Sequence, residues 1–178
     1  MKRGNYYLIG PMGSGKSAIG RQLARDLKLR FKDSDSEIEK RTGVDITYIF
    51  EKEGEQGFRE RERDVIACLA ALDGLVVATG GGAILDPGNR EQLKSTGVVI
   101  YLHASVDEQL KRTARAHNRP LLMNDDPRRV LERLMAIRQP LYEEMADIRF
   151  DTTGRQVGPV ASAVRKLLAE RGLLPLKN

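Results

Sequence analysis

The sequence predicts an α/β fold with a parallel sheet, and three observations carry that prediction. Short apolar runs alternate along the chain with segments whose apolar residues recur every three or four positions. A glycine-rich phosphate-binding pattern joins the first run to the first such segment. Cap residues mark the points where the periodicity changes to that of a helix.

The predicted strands cover 6–9, 29–33, 75–78, 98–102 and 148–151. Between them, Ile19, Leu23 and Leu27 share one helix face, as do Val65, Ile66, Leu69 and Leu72. Val130, Leu134, Ile137 and Leu141 make the longest stripe, and Val160, Val164, Leu167 and Leu168 make the last. Asp86-Pro87 and Asp126-Pro127 each set an N-cap before a proline at the first helical position. Ser34 and Glu37 have the spacing of a capping box. Pro140, deep in the long stripe, predicts a kink or break near Arg138.

With 178 residues, the chain is long enough for one domain with a sizeable core and short for two. The expected division is one domain over 1–170, a surface loop or lid over 115–126 and a loosely held tail over 171–178. No apolar run approaches the roughly 20 residues of a membrane span. The start, Met1-Lys2-Arg3 leading into an apolar run at 6–9, lacks the apolar core of a signal peptide. Cytoplasm, with no membrane partner, is the expectation. A net charge of +5 favours anionic ligands. The arginines are scattered, aromatics are few and no nucleic-acid-binding motif accompanies them, so a nucleic-acid partner is not expected. The single cysteine, Cys68, excludes an intrachain disulfide and a cysteine metal cluster. No large apolar face is left over, and a monomer is expected.

Gly10-Pro11-Met12-Gly13-Ser14-Gly15-Lys16-Ser17 is a complete G-x-x-x-x-G-K-[ST] pattern. It follows a predicted strand and opens a predicted helix, the context that separates a phosphate cradle from a chance glycine turn. The glycines let consecutive N–H groups converge on phosphate oxygens, and the helix N-terminus adds its positive dipole. Lys16 supplies a point charge for the β- and γ-phosphates, and Ser17 a hydroxyl for Mg²⁺. The pattern specifies a nucleoside triphosphate and leaves the acceptor open.

Candidates for choosing the acceptor lie at the carboxyl edge of the same sheet, where open α/β folds bind ligands. Asp33-Ser34-Asp35 follows the second strand; one carboxylate could serve a metal and the other a hydroxyl, or both could simply start the next helix. Phe58-Arg59-Glu60-Arg61-Glu62 has the look of a charged helix start, in which Arg59 is either surface or a fork for a carboxylate, with Glu62 placed to orient it. Thr79-Gly80-Gly81-Gly82 follows the third strand and permits close approach of a ligand to backbone amides. Arg119-Pro120-Leu121-Leu122 and Arg138-Gln139-Pro140-Leu141-Tyr142 add two further arginines, for which solvent exposure is the default reading.

In this order and spacing, these segments resemble the shikimate kinase family, over roughly residues 5 to 168. The resemblance implies the three-layer P-loop fold of nucleoside monophosphate kinases, with a five-stranded parallel sheet and a mobile lid. It implies transfer of the γ-phosphate of ATP to the 3-hydroxyl of shikimate, giving shikimate 3-phosphate and ADP in aromatic amino-acid (chorismate) biosynthesis. Lys16, Asp35 and Arg119 would be catalytic, Asp35 receiving the hydroxyl proton and Arg119 closing over the phosphates. ATP would meet Gly13, Ser14, Gly15, Lys16, Ser17, Ala18, Arg112, Arg119 and Arg155, with Arg112 against adenine. Shikimate would meet Asp35, Arg59, Gly80, Gly81, Gly82 and Arg138, the two arginines gripping its carboxylate. Ser17 and Asp33 would serve Mg²⁺. Ser17 stands where a threonine is common in the family, and either hydroxyl suits the metal. A kinase of another polyol acid, such as gluconate, is the enzymatic alternative. A nucleotide-hydrolysing switch is the other, and the sequence has no N-K-x-D-type guanine signature to support it.

Overall fold

Strand β1 (Asn5–Ile9) is buried along its whole length, with Tyr7 and Ile9 facing one side of the sheet and Tyr6 and Leu8 the other. The structure is a computed structural model and describes residues 4–114, 122 and 126–174. Four more strands join β1 in parallel: β2 (Arg30–Asp33), β3 (Leu75–Ala78), β4 (Gly97–His103) and β5 (Ile148–Asp151), in the order β2-β3-β1-β4-β5. All five strands expected from the sequence form, within two residues at either end.

The alternation along the central strands creates two cores, as a parallel sheet covered on both faces requires. Tyr6, Leu8, Val76, Ile100 and Leu102 pack against α1 (Lys16–Leu27) and α7 (Val157–Glu170) through Ile19, Leu23, Val164 and Leu168. Tyr7, Ile9, Val77, Val99 and Tyr101 pack against α2 (Ser34–Thr42), α3 (Ile46–Ala70), α4 (Pro87–Thr96) and α6 (Pro127–Met145). Helix α5 (Val106–Thr113) follows β4. Each large apolar side chain so buried contributes about 1.5–3 kcal/mol. No helix among the described residues is long and apolar enough to cross a membrane. At the chain's far end, the Tyr6 hydroxyl donates to the Leu173 carbonyl at 2.7 Å.

Several local expectations need correction. The N-cap of α2 is Asp33, whose carboxylate accepts from the Asp35 and Ser36 amides; Ser34 is buried and turned to other work. Asp86 and Asp126 cap α4 and α6 as expected. Of the stripe read from the sequence Val130 is buried, but the buried face then runs through Leu131, Met135, Arg138, Tyr142 and Met145, while Ile137 is 57% exposed. The apolar stripe read from the sequence was therefore turned by about one residue, because Arg138 and Tyr142 belong to the inner face. Helix α6 also continues through Pro140. The proline and Ala136, whose carbonyl loses its donor, are both exposed, so water can satisfy that carbonyl. Phe58 to Glu62 lie within α3, one turn past a kink at Gly54, where φ is 70°. Leu72, read with the stripe before β3, is 44% exposed.

This topology sets the site. The chain moves from β1 outward to β2, returns to β3, then crosses β1 to reach β4. The loops leaving β1 and β3 diverge at that reversal and leave a crevice at their carboxyl ends. The Thr79 amide and hydroxyl both donate to the Leu8 carbonyl at 3.1 Å, holding the two loop origins together.

Candidate active site

The phosphate loop curls between β1 and α1, and α1 begins at Gly15, its left-handed N-cap. Gly10 takes φ 145°, and a Cβ there would collide with the Leu102 carbonyl of the neighbouring strand. Only glycine fits. The Lys16 ammonium lies back over the loop and donates to the Gly10 and Pro11 carbonyls, each at 2.8 Å. The Ser17 hydroxyl donates to Asp33 Oδ2 at 2.5 Å, while Asp33 Oδ1 accepts from the α2 amides. Asp33 thus does two things that the sequence presented as alternatives: it starts the helix and stands beside Ser17.

A cavity of about 610 Å³ opens over this loop, lined by Gly13, Gly15–Ala18, Arg112, Thr152 and Arg155–Val157 among others. Arg112 is held as a bracket at its rim. Its guanidinium donates to Glu108, to the Gly13 carbonyl and to both the hydroxyl and the carbonyl of Thr152, at 2.7–3.0 Å. A planar cation held this way offers a flat face to a base.

A second cavity, of about 520 Å³, adjoins the first, and Met12, Ser17, Asp33, Asp35, Gly80 and Gly81 line both. Three helices bring charge into it: Asp35 from α2, Arg59 and Glu62 from α3, and Arg138 from α6, around the Gly80–Gly82 loop. The glycines are landmarks for how closely these groups approach. A Cβ at Gly80 would stand 2.7 Å from Glu62 Oε1 and 2.8 Å from Asp35 Oδ1; at Gly81, 3.5 Å from Arg138 Nη1; at Gly82, on the Arg59 guanidinium itself. Ser34 Oγ accepts from the Gly80 amide at 2.9 Å and pins the loop.

The two arginines differ in their compensation. Arg59 donates to Glu62 at 2.7 Å and to Glu55 at 3.1 Å. Arg138 is 5% exposed, and among the described residues no carboxylate lies within ion-pair distance of it. A buried charge without an ion-pair partner is unfavourable, and an anion in the cavity would offset it. Burial pushes the Glu62 carboxyl up to about 7, and the Asp35 charge adds to that shift, while Arg59 and Arg138 act against it.

A family model described as shikimate kinase matches residues 12–169. The chain belongs to the shikimate kinase family. A shikimate kinase of Pseudomonas savastanoi pv. phaseolicola is 56% identical over 171 residues, covering 96% of this chain and 98% of that protein. One from Francisella philomiragia is 54% identical, with 96% and 97% covered. The solved structure of shikimate kinase from Acinetobacter baumannii in complex with shikimate superposes with a TM-score of 0.94 at 47% identity, covering 96% of each chain. A thymidylate kinase from Candida albicans, at 15% identity and a TM-score of 0.60, shares the fold alone.

Most residues that the shikimate kinase resemblance singled out line the two cavities: Gly13, Gly15, Lys16, Ala18, Arg112 and Arg155 the first, Arg59, Gly82 and Arg138 the second, and Ser17, Asp33, Asp35, Gly80 and Gly81 both. Ser14 is fully buried and lines neither. Arg119 lies outside the described residues. Sequence reasoning missed Thr152 at the first cavity and Ile46, Thr47 and Phe50 at the second. Nothing local marks them: an apolar pair at i and i+4, such as Ile46 and Phe50, reads as core. It also missed the roles of Ser34 and Tyr142 in holding the glycine loop.

Proposed function

We propose that the two adjoining cavities form one active site in which the γ-phosphate of ATP passes to the 3-hydroxyl of shikimate, giving shikimate 3-phosphate and ADP for chorismate biosynthesis. The observation that carries this reading is Arg138, a buried guanidinium without a carboxylate partner among the described residues, facing the same small cavity as Arg59. A carboxylic acid substrate supplies the missing anion. Its ring then extends toward Asp35, at the seam shared with the phosphate cavity.

Phosphoryl transfer asks a protein mainly for alignment and charge neutralisation. Asp35 accepts the hydrogen bond of the attacking hydroxyl and takes its proton as the O–P bond forms; the bond to the β-phosphate oxygen breaks and ADP leaves. Lys16, released from the Gly10 and Pro11 carbonyls, turns to the β- and γ-phosphates. Arg112 and Arg155 bound the end of the cavity opposite the acceptor and take the nucleoside. Ser17 and Asp33 present adjacent hard oxygen atoms at the seam, a donor set that suits Mg²⁺ bound mainly through phosphates and water. When bound there, Mg²⁺ offsets phosphate charge.

ADP release in the presence of Mg·ATP tests the reading. Shikimate should accelerate it strongly, and gluconate should leave it at the level of buffer alone. No stimulation by shikimate, or equal stimulation by gluconate, would overturn the assignment.

A further inference from the structure

Helix α6 carries Arg138 and Tyr142 one turn apart on its buried stripe. Tyr142 is fully buried, its ring stacked on Tyr101 with centroids 5.0 Å apart. Its hydroxyl donates to the Gly81 carbonyl at 2.5 Å. Arg138 stands against the same loop: its Nη1 is 3.5 Å from the position a Gly81 Cβ would take, and its positive charge acts on the Tyr142 phenol. A phenol has one proton and two acceptor lone pairs. With the proton committed to Gly81, the lone pairs are left for the guanidinium. Burial raises the phenol pKa and keeps that proton on oxygen.

The other ring of the stack provides a contrast. The Tyr101 hydroxyl is buried too, but among the described residues it has no hydrogen-bond partner. Filling the core beneath the site therefore does not require a wired hydroxyl; Tyr142 has one and Tyr101 does not.

We propose that Tyr142 is a positioning residue whose hydroxyl ties the Arg138 fork to the Gly81 backbone, so that guanidinium and loop amides form one preformed carboxylate-binding arc. The inference rests on reading the second cavity as the shikimate site. In the free enzyme the link holds an uncompensated guanidinium in one orientation, so less freedom is lost when the acid binds.

Tyr142→Phe keeps the ring and removes only the oxygen. The expected result is a rise of about tenfold in KM for shikimate, from loss of one hydrogen bond to a charged group. The kcat should stay within about twofold and the KM for ATP should not move. Tyr101→Phe should leave all three values unchanged. In an Arg138→Lys background the effect of Tyr142→Phe should shrink to about twofold or less, because the fork it orients is gone. An unchanged shikimate KM, equal rises in both KM values, an undiminished effect in the Arg138→Lys background, or failure of Tyr142→Phe to fold where Tyr101→Phe folds would each overturn the proposal. Wild-type enzyme that ignores shikimate would overturn the function and this inference together. Normal wild-type turnover with an indifferent Tyr142→Phe removes this inference alone.

Discussion

The phosphate cradle draws residues 10–18 from one loop and one helix start, and most of what it offers is backbone. The acid cavity draws Asp35, Arg59, Gly82 and Arg138 from four separate parts of the chain, and most of what it offers is side-chain charge. The first spreads its work over several equivalent amides. The second relies on a few charges around a loop, held by named partners: Glu62 and Glu55 for Arg59, Tyr142 and Ser34 for the glycine loop. Substitutions in the two regions should therefore fail differently, through kcat on the phosphate side and through acceptor affinity on the acid side.

The sharpest break is Lys16→Ala. It removes the ammonium that lies over the loop, and kcat should fall about 10³-fold. Lys16 sits half-exposed at the start of α1, so the circular dichroism spectrum should not change. Substantial retained turnover would remove Lys16 from the mechanism.

Arg59→Lys comes next. Losing a forked charged contact should cost about 1.5–3 kcal/mol, roughly 10- to 150-fold in kcat/KM for shikimate. The KM for ATP should hold. A parallel loss for ATP would erase the distinction between the two regions.

Glu62→Gln addresses the charge behind Arg59 through pH. A carboxyl raised from 4.5 to about 7 keeps its proton longer in the folded chain than in the unfolded one. Between those values the folded state binds more protons, so this group's contribution to stability falls as pH rises through the window. Urea unfolding should show the variant gaining on wild type from about pH 4.5 to about pH 7 and no further above it. A difference independent of pH would mean that Glu62 titrates normally.

The smallest effect is Ser34→Ala, which leaves the Gly80 amide without its acceptor. The loss should be about 1 kcal/mol, a drop of about 2–4 °C in Tm. Shikimate affinity should weaken more than ATP affinity. Equal weakening of both would show that the glycine loop serves the two regions alike.

Glu62 and Ser34 mark where legibility ended. Glu62 could be placed beside Arg59 from helical spacing alone, because the pair is three residues apart on one helix. Ser34 was read as a cap because its partner, the Gly80 amide, lies 46 positions away and no local pattern announces it. Arg138 was harder still. A lone arginine is usually solvated, and its neighbours Ile137 and Leu141 suggested an apolar face that α6 turns only partly to the interior, Ile137 being exposed and Leu141 half-buried.

By itself, the sequence determined the strands, the phosphate cradle and the order of the segments around it. Each of those depends on chemistry complete within a few residues: left-handed glycines, capping carboxylates and the two periods of apolar recurrence. Only the tertiary structure decided which arginine is compensated, which face of α6 turns inward and which hydroxyl holds which loop. A buried charge takes its meaning from partners that the sheet brings together from distant parts of the chain, and no local stretch of sequence contains them.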